Sequence, residues 1–210
     1  NALITGYTQQ GQCQEVLNCF EQMQIEGLPP NTVTFICMLK ACGSSGSLEK
    51  GEQIHEAIVN RGFLDKYIVL GNGLVDMYAK CGVLSKAQQV LKGLHVRNVV
   101  SWNALITGYA QKGQGHEALN CFDKMQREGI SPNTITFICI LKACGSVGAI
   151  EKGKQVHEEI VGTGLLSKDI VLGTALVDMY AKCGVLAKAK QVLEELSVRN
   201  IVSWNALIVG

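Results

Sequence analysis

No stretch of the 210 residues stays apolar long enough to span a bilayer, which excludes a helical membrane-spanning segment. No CxxC pair occurs, and no Cys and His stand at zinc-site spacing, so no metal is expected. There is no nucleophile constellation and no phosphate-binding loop. The chain therefore reads as non-enzymatic, with no cofactor and no small-molecule substrate. No segment alternates apolar and polar residues with the two-residue period of a strand. Neither sign of charge dominates: 19 Lys and Arg against 18 Asp and Glu leave +1, which by itself points to no partner. An initiator Met and a signal or transit peptide are also missing. The chain starts and stops inside helical patterns, so a fragment or an engineered piece is expected.

What the chain has in abundance is repetition. Ser101-Trp102-Asn103-Ala104-Leu105-Ile106-Thr107-Gly108-Tyr109 is anticipated at Asn1-Ala2-Leu3-Ile4-Thr5-Gly6-Tyr7 and returns at Ser203-Trp204-Asn205-Ala206-Leu207-Ile208. The spacing is 102 residues. Residues 1–102 lie over 103–204 without a gap, with 71 positions identical. A fixed long period marks a repeat architecture.

Inside the period lie three helical hairpins, residues 99–133, 134–169 and 170–200, with lengths of 35, 36 and 31. In the first, an apolar pattern through Leu105, Ile106 and Tyr109 stops at Gly113. A second follows through Ala118, Phe122 and Met125, spaced four and three apart as one helix face requires. Gly129 and Pro132 end it. The second hairpin is expected to break at Gly145 and Gly148 and to resume through Ile150, Val156 and Ile160 to Gly164. The third breaks at Gly184 and resumes through Leu186, Ala189, Val192, Leu193 and Leu196. Hairpins of this size bury their apolar faces against their neighbours, so the expected fold is all-α, an α-solenoid.

Nine cysteines are present, seven of them in helical patterns: Cys19, Cys37, Cys42, Cys121, Cys139, Cys144 and Cys183. They read as reduced packing residues. Charge is distributed unevenly. The first helices, roughly 1–11, 32–43, 68–81, 99–113, 134–145, 170–183 and 201–210, hold Lys40, Lys80, Lys112, Lys142 and Lys182 but only Asp76 and Asp178. In a solenoid they form one surface, which would be locally positive.

The motifs carry a resemblance. VVSWNALITGYAQ, EALNCFDKM and the following G..PN resemble the P motif of plant pentatricopeptide repeat proteins. TFICILKACG with GKQVHEEIV..G resembles their L motif, and LVDMYAKCGVLAKAKQVLEEL..RN their S motif. The implied array spans residues 1–210. It consists of a truncated P repeat at 1–31, L at 32–67, S at 68–98, P at 99–133, L at 134–169, S at 170–200, and the start of another P at 201–210. The resemblance implies a right-handed superhelix with first helices inside. It also implies sequence-specific binding of single-stranded RNA, one base per repeat. It further suggests a C-to-U RNA-editing specificity factor in a chloroplast or mitochondrion. Editing members of the family often carry a deaminase domain with an HxE…CxxC zinc site, and this chain has no such segment. Small organellar editing partner proteins are expected on the L repeats, 32–67 and 134–169.

In that family the fifth and last residues of a repeat jointly read a base. Here the pairs are Asn1 with Asn31, Ile36 with Tyr67, Asn72 with Asn98, Asn103 with Asn133, Ile138 with Asp169, and Thr174 with Asn200, while Asn205 opens another. Asn-Asn implies cytosine or another pyrimidine, and Thr-Asn adenine. Asn can donate and accept, so it matches a base edge of either polarity. The second position sandwiches the base: Val33, Val69, Val100, Ile135, Val171 and Val202. Lys80 and Lys182 are candidate phosphate contacts.

Each position also has a structural reading. Asn98, Asn133 and Asn200 stand where N-caps stand. The β-branched second residues could equally be core. Trp102 and Trp204 read as packing residues, His55 and His157 as hairpin packing. Lys80 and Lys182 suit solvated helix C-termini equally well. Ile36 and Ile138 cannot hydrogen-bond a base, so the L repeats should add little specificity. The alternative function is a protein-interaction scaffold of the tetratricopeptide kind.

Overall fold

The computed structural model describes residues 1–166, 169–196 and 198–209, and every regular element among them is an α-helix. They run α1 Ala2–Gln9, α2 Cys13–Ile25, α3 Thr32–Ser45, α4 Leu48–Asn60, α5 Ile68–Lys80, α6 Leu84–Gly93 and α7 Val99–Gln111. There follow α8 Gly115–Arg127, α9 Thr134–Val147, α10 Ile150–Thr163, α11 Ile170–Lys182, α12 Leu186–Glu195 and α13 Ile201–Val209. Two compact units divide the chain, Asn1–Gly108 and Tyr109–Gly210.

Both units are built by stacking hairpins. In the first, α1 pairs with α2, α3 with α4 and α5 with α6, and α3 lies between α1 and α5. In the second, α9 pairs with α10 and α11 with α12, and α11 lies between α9 and α13. Each helix touches only elements near it in sequence, which defines an all-α repeat solenoid.

The two helices of a hairpin differ in how they are buried, and the sequence shows why. α3 buries Thr34, Phe35, Cys37, Met38, Leu39, Ala41, Cys42 and Gly43, nearly all round, because it is covered on three sides. α4 buries only Gly51, Ile54 and Ile58, a stripe along one face. In α8 the expected stripe appears: Ala118, Cys121, Phe122 and Met125 are buried. Of the cysteines, Cys37, Cys42, Cys121 and Cys144 are buried and the other five half-buried.

Some expectations need correction. Gly145 does not break a helix. It lies inside α9, which continues to Val147 and ends on left-handed Gly148 at φ 68°. A Cβ on Gly145 would stand 3.4 Å from Met179 Cα and 3.3 Å from the Lys182 stem. The glycine therefore serves close approach of α9 and α11, not a turn. Cys183 caps α11 and lies just outside it. Leu186 is exposed, although its counterpart Leu84 is buried against Gly108.

Candidate nucleic-acid interface

The N-terminal ends of the first helices carry most of the residues singled out from sequence. Asn31 caps α3 in an extended conformation, φ −110° and ψ −176°. Its Oδ1 accepts the backbone N–H of Thr34 at 3.1 Å and lies 3.2 Å from the Thr34 hydroxyl, whose single proton it shares with Asn1 Oδ1. Its own N–H donates to Thr34 Oγ1 at 3.2 Å, closing a capping box. Asn133 and Thr136 repeat this at the head of α9, with the N–H and hydroxyl of Thr136 each 3.1 Å from Asn133 Oδ1. Asn98 Oδ1 accepts from Val100 and Ser101 N–H, both at 3.0 Å. Asn200 Oδ1 accepts from Ser203 N–H at 2.9 Å. Asp169 Oδ1 accepts from Val171 and Leu172 N–H at 2.9 and 3.2 Å.

Capping is therefore real at these positions, and it fixes an orientation. The oxygen of each asparagine faces its helix, so the amide nitrogen faces away. A flipped amide would set N–H against N–H. Asp169 spends one oxygen on its cap and presents the other, an acceptor. Tyr67, the counterpart of Asp169, makes no side-chain cap; its ring instead meets Phe63 edge-on at 5.4 Å.

At the fifth positions, Asn1 Oδ1 accepts the Thr34 hydroxyl at 3.0 Å. Thr34 thus gathers Asn1 and Asn31 around one hydroxyl. Asn72 has its Oδ1 buried without a hydrogen-bond partner. Thr174 donates its hydroxyl to the Ile170 carbonyl one turn back, at 2.8 Å. Asn103 is buried and Asn205 exposed, while Ile36 and Ile138 are half-buried.

The second positions are decided by exposure. Val33, Val69, Val100, Ile135, Val171 and Val202 are all exposed, between 46% and 58%. They are not core, which overturns the equal alternative. Val59 and Val161 are also exposed, but they occur in one hairpin type only. The second-position residue is exposed in each of the six repeats that contain one. Trp102 is buried as expected, whereas Trp204 is exposed in α13.

The lysines are partly spoken for. Lys80 pairs with Asp76 and Lys182 with Asp178, both at 2.7 Å across one helical turn. Those acids neutralise two of the five first-helix lysines, leaving the excess on exposed Lys40, Lys112 and Lys142. In the first unit Lys40 and Lys80 share a pocket of about 160 Å³ with Thr8 and Ser44.

The remaining titratable groups are structural. His55 Nδ1 lies 3.0 Å from Tyr78 Oη, and His157 Nδ1 2.9 Å from Tyr180 Oη. These pairs join α4 to α5 and α10 to α11. They are the expected packing residues, and they stitch one hairpin to the next. Burial holds both histidines below their usual pKa and pushes Tyr78 up to about 12. Burial also pushes the thiols of Cys42 and Cys121 up to about 11 and that of Cys144 to about 12, which keeps them protonated and poor nucleophiles. Among the described residues no three His, Cys, Asp or Glu side chains cluster as metal ligands, and no helix is long and apolar enough to cross a membrane.

Residues 1–44 and 97–146 match the PPR repeat family, and residues 33–63 and 174–201 match the PPR repeat. The chain belongs to the pentatricopeptide repeat family. A putative pentatricopeptide repeat-containing protein of Arabidopsis thaliana is 38% identical over 100% of this chain, which spans 31% of that relative. A mitochondrial pentatricopeptide repeat-containing protein of the same plant is also 38% identical over 100% of the chain, which spans 33% of its length. Among solved structures, the maize pentatricopeptide repeat protein PPR10 superposes with a TM-score of 0.70 at 23% identity, covering 98% of this chain and 30% of that one. That likeness concerns the fold. The chain spans about a third of the length of the curated relatives it matches.

The sequence missed the hydroxyls at the third helical position: Thr34, Ser101, Thr136 and Ser203. All four are fully buried. A signal was available, the spacing Asn-x-x-Thr or Asn-x-x-Ser that opens a capping box.

Proposed function

We propose that this chain is a non-enzymatic module that reads single-stranded RNA, one base per repeat, within a longer organellar RNA-editing specificity factor. The repeats are those of the P, L, S order beginning at residues 1, 32, 68, 99, 134, 170 and 201. The observation that carries the reading is that Val33, Val69, Val100, Ile135, Val171 and Val202, each the second residue of its repeat, are all exposed. Six β-branched side chains left in water at one register have no folding purpose, and an unstacked base can lie against each.

The polarity of the capped side chains supports a set of letters. The ring nitrogen on the Watson–Crick edge is an acceptor in cytosine and adenine, and carries a proton in uracil and guanine. An asparagine presenting N–H suits the first two; Asp169, presenting oxygen, suits the others. By the family resemblance the pairs Asn1–Asn31, Asn72–Asn98 and Asn103–Asn133, and Asn205 at its own repeat, select cytosine or another pyrimidine, and Thr174–Asn200 adenine. Val69, Val100, Val171 and Val202 sandwich the bases. Lys80 and Lys182, with Lys40, serve the phosphates; the ion pairs to Asp76 and Asp178 temper their pull. Editing partner proteins dock on the L repeats, 32–67 and 134–169.

Two further observations support the reading. A solved PPR10 structure holds an 18-nt psaJ RNA element and superposes on this chain with a TM-score of 0.76. The matched mitochondrial relative supports an organellar site, and a chloroplastic pentatricopeptide repeat-containing protein is also 37% identical to this chain. Filter binding to single-stranded RNA at two salt concentrations tests the reading. Weak, salt-sensitive binding is expected, because few lysines release counterions. Absence of RNA binding at low salt, with peptide binding in its place, would favour the scaffold.

A further inference from the structure

The repeat at residues 32–67 holds an aromatic cluster that its counterpart at 134–169 lacks. Phe35 on α3 is fully buried. Phe63 meets it edge-on, with ring centroids 6.1 Å apart at 79°, and Tyr67 meets Phe63 edge-on at 5.4 Å and 83°. The Arg61 guanidinium lies 5.2 Å from the Phe35 centroid, and its Nη1 donates to the Pro30 carbonyl at 3.5 Å. In the second half Phe35 is kept as Phe137, but Arg61, Phe63 and Tyr67 become Thr163, Leu165 and Asp169. These differences belong to one cluster, anchored on a buried ring and ending at the last residue of the repeat.

Tyr67 ends that cluster in water, 40% exposed. It makes no side-chain cap on α5, and among the described residues its hydroxyl makes no hydrogen bond. Tyr78 and Tyr180, by contrast, are buried and lie 3.0 and 2.9 Å from a histidine nitrogen. Tyr67 is not a packing tyrosine of that kind. An edge-on contact with Phe63 leaves at least one face of the Tyr67 ring uncovered by Phe63. A ring braced by a second ring, itself braced by a third, also has little freedom left to lose when a ligand arrives.

Such a face suits an unpaired nucleobase. The fifth residue of the same repeat, Ile36, is half-buried and cannot hydrogen-bond a base. Val33 and Val69, at the heads of α3 and α5, are exposed and apolar. The only polar group Tyr67 adds is a hydroxyl that rotates to donate or accept. The repeat therefore offers aromatic and aliphatic surface but no fixed polarity. We propose that Tyr67 is a base-stacking platform, so that residues 32–67 add affinity for RNA without selecting a letter. This rests on the reading of the chain as an RNA module. Stacking tolerates every base, because each has a π-face, whereas Asp169 at the matching place selects through its free oxygen.

The test uses the whole chain and single-stranded RNA carrying a purine, a pyrimidine or an abasic site at the base aligned with residues 32–67. The parent should bind the purine and pyrimidine RNAs within about threefold of each other, and the abasic RNA roughly tenfold more weakly. Tyr67→Ala should bind all three alike, and Tyr67→Phe should behave as the parent. An abasic site aligned with residues 99–133 should weaken the parent and Tyr67→Ala equally, which separates a lost platform from a damaged fold. A second readout is optical: 2-aminopurine at the tested base should be quenched more by the parent than by Tyr67→Ala. A parent indifferent to the abasic site at this place, or a Tyr67→Ala that keeps the full difference, overturns the proposal and leaves base reading by the other repeats standing. The ring would then belong to a protein partner. A chain that binds no RNA at low salt overturns the platform together with the reading on which it rests.

Discussion

Tyr67 and Asp169 stand at the same place in the two halves of the chain, each before a helix that opens Ile-Val-Leu-Gly. Asp169 satisfies two of the N–H groups at the head of α11. Tyr67 satisfies none with its side chain and stacks on Phe63 instead. Four residues into those helices the halves part again. Asn72 buries an unpartnered oxygen, while Thr174 returns its hydroxyl to its own backbone. On the second helices, Lys86 reaches across to Glu52, whereas in the second half Lys154 pairs with Glu151 on its own helix at 2.7 Å. The cores beneath barely differ: Phe35 and Phe137, Leu74 and Leu176, Tyr78 and Tyr180 are buried alike. The frame is thus repeated faithfully, and variation is concentrated where a side chain can face a ligand or solvent.

That division can be broken at the core first. Phe35→Ala and Phe137→Ala should each cost about 3–5 kcal/mol, because both rings are fully buried, with the larger cost at Phe35, which also meets Phe63 edge-on at 6.1 Å and Arg61 at 5.2 Å where the second half has Leu165 and Thr163. Denaturant melts of the two variants would check this; equal costs would mean that the Phe63 and Arg61 contacts add nothing to the burial of Phe35. The next effect is on recognition. Thr174→Asn should move the preference of its repeat from adenine toward cytosine by about 1–3 kcal/mol, read by competition between two oligonucleotides differing at that base. Helix stability should barely change, since Asn and Thr have similar propensity. An unchanged ratio in the folded variant would move the scaffold reading ahead. Asp169→Ala should cost about 1 kcal/mol in thermal stability through its lost cap.

The smallest expected effect is of pH. Burial lowers the pKa of His55 and His157 in the folded chain. Above about pH 6.5 both are neutral whether the chain is folded or not, and stability is at its full value. As pH falls below that, the unfolded chain takes up protons that the folded chain refuses, so stability drops until the folded pKa is passed. Thermal melts at pH 7.5 and 5.5 should differ in that sense, and less so when both histidines are replaced by glutamine.

Much of the helical layout was legible because α8 shows its stripe in single residues and Gly113, Gly129, Gly148 and Gly184 all take the left-handed turn. Gly145 was misread because glycine serves both turns and close packing, and only the neighbouring Met179 backbone tells them apart. At the interface the residue types were legible, but the orientation of Asn98 was not. It depends on two backbone N–H groups that no side-chain pattern displays. The exposure of Val100 was hidden for a related reason: a β-branched residue one step into a helix has the same letter whether it faces the core or water.

The shared cap of Asn98 and Asp169 has a consequence for how such arrays diversify. Both residues spend one oxygen on the helix and differ only in the atom left over, an amide nitrogen or a second oxygen. Asn and Asp are nearly equal as caps. Exchanging one for the other therefore changes the polarity of the outward atom while leaving the helix beneath almost as stable as before. On the RNA reading proposed above, an array built this way would be re-addressed one repeat at a time, by single substitutions, without a compensating change elsewhere in the fold.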